Sequence, residues 1–230
     1  MDDPNKMYRV LIKFMDEKYV DSFLNDGLLY MNNIEFFRNY EDADVALRGD
    51  RHEGLSASFK SEEVIIKIGD HIIDGAVGKI DIRQNHEDET NIYSMTGISD
   101  GKILESGEEG LFLSSKFNKF GNKAVIIYDI VEFERRLKLA VSQNKRIYTP
   151  REDSIVAQSV SYISRDEHHD QMDVFNKFDE YSWQHEWRIA FKQISGTGPF
   201  SLKIGRLADI AQVIETESLI SHPLKLVPKN

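Results

Sequence analysis

Residues Tyr8 to Phe14 alternate without a break: Tyr8, Val10, Ile12 and Phe14 fall on one side of an extended chain, and Arg9, Leu11 and Lys13 on the other. A period of two does not match a helix, so the segment predicts a strand with one fully apolar face. Comparable stretches recur along the chain. Val64 to Ile73, Val77 to Arg83 and Asn91 to Ile98 are β-branched runs separated by Gly, Asp and His, and they predict antiparallel strands. Lys123 to Tyr128, Ser154 to Ile163, Glu186 to Phe191, Phe200 to Ile204 and Gln212 to Ile214 predict more. Helical signals are sparse. Asp16 stands at a capping position before the stripe Tyr19, Val20, Phe23 and Leu24, with Gly27 placed to stop the helix. The short strand Leu28-Leu29-Tyr30-Met31 and a helical turn over Ile34 to Arg38 follow. Asp129 and Glu132 form a capping box ahead of Ile130, Phe133, Leu137, Ala140 and Val141. Strands with so few helices between them lack the alternating rhythm of a doubly wound fold. The expectation is an α+β protein with a mostly antiparallel sheet core, in one domain over residues 1–230.

Composition narrows the chemistry. The absence of cysteine among the 230 residues excludes disulfides, thiolate nucleophiles, iron–sulfur clusters and zinc fingers. A net charge of −10 argues against a surface that coats nucleic acid broadly, although a local basic groove is compatible with it. Met1-Asp2-Asp3-Pro4 has no basic leader signature and no apolar run is long enough to span a bilayer, so a soluble, cytoplasmic chain without membrane contact is expected. No repeat of 20 to 50 residues is visible. None of the phosphate-loop, dinucleotide-fingerprint, zincin or nucleophile-elbow motifs occurs.

Four places can carry chemistry. In Gln184-His185-Glu186-Trp187-Arg188-Ile189-Ala190-Phe191 a strand puts Trp187, Ile189 and Phe191 on one face and Glu186, Arg188 and Ala190 on the other. Two opposite charges about 7 Å apart on an otherwise buried strand need a reason. They form either a structural ion pair or a carboxylate held in a cleft, with Arg188 fixing it or binding an anion. The polar stretch Glu41 to Gly54 predicts a loop, and its segment Arg48 to Gly54 brings Asp50, Arg51, His52 and Glu53 together, as a solvated run or as a ligand-facing turn. Arg9 and Lys13 face solvent if their strand is an edge, and a cleft able to pair phosphates if it is central. Tyr30 and Asn32 alternate on the short second strand, and core packing is the commoner use of such a tyrosine. His168-His169-Asp170 reads as a charged loop, because adjacent side chains on an extended segment point apart and no third ligand lies at a suitable spacing, so no metal site is expected.

The order of these features resembles the ADP-ribosyltransferase fold. More narrowly, the chain is similar to a family of bacterial and phage proteins with Lys-aromatic near the start (Lys13-Phe14) and a Gly-Leu-x-Tyr strand (Gly27 to Tyr30). An Asp-x-x-Glu-Gly loop (Asp50 to Gly54), a stretch from Phe120-Gly121 through Glu132-Phe133, and a Glu-Trp-Arg signature (Glu186 to Arg188) complete the pattern. That family is related to the RNA-modifying ADP-ribosyltransferase toxins of toxin–antitoxin–chaperone systems that defend bacteria against phage. The chain departs from the arginine-modifying toxins, whose Ser-Thr-Ser and Glu-x-Glu motifs are missing; Gln184-x-Glu186 stands in place of the latter. It also lacks the His-Gly-Thr of the poly-ADP-ribose polymerase branch.

The resemblance implies NAD as substrate, nucleic acid, in particular single-stranded RNA, as acceptor, and an antitoxin protein as partner. It implies Glu186 as the carboxylate that stabilises the ribosyl cation, Arg9, Lys13 or Arg188 on the pyrophosphate, and Tyr30, with Asn32 beside it, on nicotinamide. Gln184 would orient the acceptor, and the loop carrying Arg51 and Glu53 would close over NAD or position the acceptor. Two other classes stay open at this point: a metal-dependent nuclease using Asp50, Glu53 and Glu186, and a non-enzymatic module that binds a ligand or partner.

Overall fold

In a computed structural model, residues 8–40, 50–73, 75–148 and 156–228 are described. The chain opens with β1 (Tyr8–Met15), a 3₁₀ turn (Glu17–Tyr19), α1 (Val20–Asp26), β2 (Leu28–Asn33) and α2 (Ile34–Asn39). Then come β3 (Ala57–Lys60), β4 (Ile66–Ile68), β5 (His71–Ile73), β6 (Lys79–Ile82) and the long β7 (Asn91–Ser99). The middle holds α3 (Asp100–Glu105), β8 (Lys123–Ile127), α4 (Ile130–Gln143) and β9 (Ile147–Tyr148). Four short strands follow: β10 (Val156–Ser159), β11 (Ser161–Ile163), β12 (Asp170–Gln171) and β13 (Asn176–Phe178). The last elements are β14 (Glu186–Gln193), β15 (Phe200–Lys203), β16 (Ala211–Glu215) and α5 (Thr216–Ile220).

The result is an α+β architecture with mostly antiparallel sheets and few helices. The main sheet runs β10-β14-β7-β1-β8-β16, with every neighbour antiparallel. β2 joins it at the start of β7 and carries β15 on its other edge. β1 is therefore central, and both of its faces are covered. Leu11 and Met15 pack with Met95, Trp187 and Val125 beneath Phe133, Leu137 and Val141 of α4. Ile12 and Phe14 pack with Ile98 and Ala124 against Ile103, Phe117 and Leu219. Burying both faces extends the apolar face expected of this strand to the opposite one, with Leu11 fully buried there.

Local chemistry explains several boundaries. Gly27 ends α1 in the left-handed region (φ 60°), and a Cβ there would meet the Gly205 carbonyl oxygen at 2.2 Å. Asp129 caps α4 by accepting the Glu132 N–H at 3.0 Å, as the capping pattern predicts. Asp16 behaves differently: it precedes a 3₁₀ turn whose Tyr19 N–H bonds to the Asp16 backbone oxygen, and its side chain makes no cap bond. The expected strand Val64 to Ile73 is a hairpin, β4 and β5, folded at Gly69-Asp70 with Gly69 at φ 61°. The expected strand Ser154 to Ile163 divides at Val160 into β10 and β11 within the described residues, and β11 leaves to pair in parallel with β13. Residues 41–49 of the expected loop lie outside the described residues, as do 154 and 155 of that strand. Among the described residues no helix is long and apolar enough to cross a membrane.

Candidate functional site

The site arises where two strands part. β7 pairs with β1 through residues 96–99 and with β2 only through Asn91 and Ile92. Between them Tyr93, Ser94 and Met95 border a cleft of about 720 Å³, within the range of small-molecule sites. Lys13 from the end of β1 reaches into the parting. Its Nζ donates to the Ser94 carbonyl at 2.8 Å and lies 4.2 Å from the Tyr93 ring centroid. The walls are aromatic. Tyr30 stands on β2 at 57% exposure, Phe36, Phe37 and Tyr40 stand on and just after α2, and Phe117 and Phe120 close the far side.

The floor is the start of β14. His185 takes a left-handed backbone (φ 45°), and this turn brings Gln184 and Glu186 to the same cleft. Register then sets Glu186 opposite Thr96 and Arg188 opposite Ser94. Arg188 Nε donates to Glu186 Oε1 at 2.7 Å. Its two terminal nitrogens donate to Glu53 at 2.7 and 3.2 Å, and Nη1 also donates to the Val174 carbonyl. Lys177 Nζ donates to Glu186 Oε2 at 3.0 Å and to Gln184 Oε1 at 3.1 Å, and lies 3.8 Å from Glu53. The Ser94 hydroxyl donates to Glu186 Oε1. Two carboxylates and two cations thus balance in a cluster no more than 8% exposed at any member.

Burial opposes ionisation of Glu186, but Arg188 and Lys177 overcome it and hold the carboxyl well below the usual carboxylate range. At Glu53 burial prevails and pushes the carboxyl up, against the opposing pull of Arg188 and Lys177. For Lys177 and Arg188 burial is outweighed by Glu186 and then Glu53, so both cations are held more firmly charged than usual. Burial, then the neighbouring Lys102 ammonium, brings His185 down to about 4.

Seven of the residues singled out in the sequence line this cleft: Lys13, Tyr30, Asn32, Glu53, Gln184, Glu186 and Arg188. Arg9 and Arg51 do not. Arg9 points outward at 55% exposure and forms a two-pronged pair with Asp100 at 2.7 Å. Arg51 is exposed and its Nε donates to His52. Arg188, considered as an anion binder, instead has its guanidinium directed to Glu53, Glu186 and a backbone carbonyl. Asp50 is buried and accepts the His52 N–H at 2.8 Å. Among the described residues no group of three His, Asp or Glu side chains is arranged to hold a metal ion. His169 accepts the Lys60 N–H at Nδ1 and His168 lies against the Asp170 carbonyl, so the two rings have separate partners.

Sequence reasoning missed Lys177, Ser94 and the α2 aromatics. Ser94 and Thr96 share a parity with the apolar Ile92 and Ile98 of the same strand, a signal that was available in principle. Lys177, between Phe175 and Phe178, gave only the weaker sign of a lone cation in an aromatic stretch. Compared with protein-family models, with curated proteins and with solved structures, the chain matches none.

Proposed function

We propose that the chain is an NAD-dependent ADP-ribosyltransferase of the ADP-ribosyltransferase-like fold, acting on nucleic acid, with single-stranded RNA as the favoured acceptor, in conflict between bacteria and phage. The observation that carries this reading is Glu186. It is an ionised carboxylate at the floor of an aromatic cleft, with Oε1 accepting from Ser94 and Arg188 and Oε2 accepting from Lys177. A carboxylate has about four acceptor sites, so Oε2 keeps one for a substrate hydroxyl.

In the proposed reaction the bond between the ribose C1′ and the nicotinamide nitrogen breaks, and nicotinamide leaves with the electron pair. The ribosyl carbon becomes oxocarbenium-like, and Glu186, hydrogen-bonded to the ribose 2′-hydroxyl, stabilises that charge from a position fixed in advance. The acceptor nucleophile then bonds to C1′ and loses its proton. Tyr30, the exposed ring on β2, stacks on nicotinamide, and Lys13 at the parting of the strands meets the pyrophosphate. The test is a thermal-shift titration with NAD on the wild type and Tyr30→Ala. A saturating rise in melting temperature, displaced to roughly tenfold higher NAD in the variant, supports the reading. No shift up to millimolar NAD overturns it.

A further inference from the structure

We propose that Lys177 is a positioning residue for this site: its ammonium group ties the Gln184 carboxamide to the Glu186 carboxylate and so fixes where both point in the cleft. The inference rests on the ADP-ribosyltransferase reading for its link to turnover, but not for its geometry.

β11 and β13 form a two-stranded parallel sheet outside the main one. Tyr162 and Lys177 stand opposite each other in its register. The Tyr162 hydroxyl accepts the Glu186 N–H at 2.8 Å, and Val160, just before β11, donates its N–H to the Glu186 carbonyl at 2.9 Å. The same small sheet thus grips the Glu186 backbone through Tyr162 and its side chain through Lys177. Arg188 also reaches Glu186, but it divides its guanidinium among that residue, Glu53 and the Val174 carbonyl. Lys177 donates to both side chains flanking the strained His185, at 3.0 and 3.1 Å. Gln184 is uncharged and needs no counter-ion, so the bond from Lys177 serves its orientation: with Oε1 held, the amide nitrogen is turned to the other side.

Among the described residues, the charged and titratable groups about Glu186 include Arg188 on its own strand, Lys177 on β13, Glu53 and Asp50 ahead of β3, Tyr162 on β11, Tyr181, whose ring lies 4.8 Å from Lys177 Nζ, and Lys13 of β1 in the same cleft. Of the two cations that donate to the Glu186 carboxylate among the described residues, Lys177 is the one from outside β14. Neutralising it leaves Glu53 and Glu186 to share the single charge of Arg188.

The experiment compares the wild type with Lys177→Met and Lys177→Arg, each checked for folding by melting. The first arm uses no ligand: carbon-13 NMR follows the Glu186 carboxyl through a pH titration, and nitrogen-15 NMR follows the Gln184 side-chain amide. In Lys177→Met the carboxyl is expected to titrate at higher pH and the amide pair to lose its distinct shift. In Lys177→Arg the charge is kept and the reach is altered, so the amide moves while the carboxyl titration stays. Unchanged signals in both variants overturn the proposal, whatever the protein does with NAD. Should Lys177→Met not fold, Lys177→Arg is decisive through the amide signal alone.

The second arm measures nicotinamide release from NAD. Lys177→Arg is expected to lower kcat about tenfold with KM within twofold, the pattern of an interaction realised in the transition state. Unchanged kcat in a variant whose amide signal has moved overturns the link to turnover. A wild type that neither binds nor cleaves NAD sinks the transferase reading, and the first arm still decides the geometry.

Discussion

Removing Glu53 tests the ionic cluster at its most exposed assumption, that the four charges balance only as a set. Glu53 and Arg188 meet at 2.7 Å with side-chain exposures of 3% and 1%. In Glu53→Met the cluster keeps Arg188, Lys177 and Glu186, an excess of one positive charge among side chains no more than 8% exposed. Breaking a buried pair on one side costs about 3–5 kcal/mol, because the remaining charge is left without compensation. Arg188→Met leaves the opposite excess and is expected to cost as much. In the double variant Glu186 and Lys177 remain, a neutral pair 3.0 Å apart. Its loss should therefore fall short of the sum of the single losses by about 2–3 kcal/mol. Urea unfolding of all four proteins gives the cycle, with unchanged slopes confirming that the midpoints report stability. Additive losses, or single variants within about 0.5 kcal/mol of the wild type, would mean that the four charges do not balance as a set.

Two further predictions concern stability. His52 and His185 are both drawn down to about 4, chiefly by burial, from an ordinary value of 6.5. The unfolded chain takes up these protons first, so the stability they contribute is complete above pH 6.5 and is lost as the pH falls toward 4. Each proton corresponds to about 1.4 kcal/mol per pH unit, so urea midpoints should fall steeply between those values and flatten in a His52→Gln, His185→Asn variant. A flat wild-type profile contradicts this. Gly27→Ala should destabilise by more than about 2 kcal/mol, since the backbone is left-handed and the Cβ meets a carbonyl oxygen at 2.2 Å; thermal melting within a degree of the wild type contradicts the close approach.

The parts of this fold legible in the sequence are those decided by neighbours along the chain. The alternation over Tyr8 to Phe14, the β-branched run before Ile98 and the Asp129 cap each act within a few residues, and each element forms where it is expected. The cleft was not legible, because it depends on where β2 leaves β7, and pairing between strands some 60 positions apart follows from tertiary packing. Arg9 and Lys13 share a parity, yet one pairs with Asp100 outside and the other enters the cleft. The register shifts between Tyr8 and Val10, an irregularity that no local pattern announces. Glu186 and Arg188 could be paired from their spacing on one strand, whereas Glu53 arrives from 135 positions away.

Whether Glu186 stabilises charge on the ribose of NAD is decided by nicotinamide release from the wild type and Glu186→Gln. The wild type should release nicotinamide, and Glu186→Gln, once shown by melting to be folded, should lose about a hundredfold or more in kcat while still binding NAD. Equal release by the two proteins, or none by the wild type at saturating NAD with acceptor RNA present, would contradict the account.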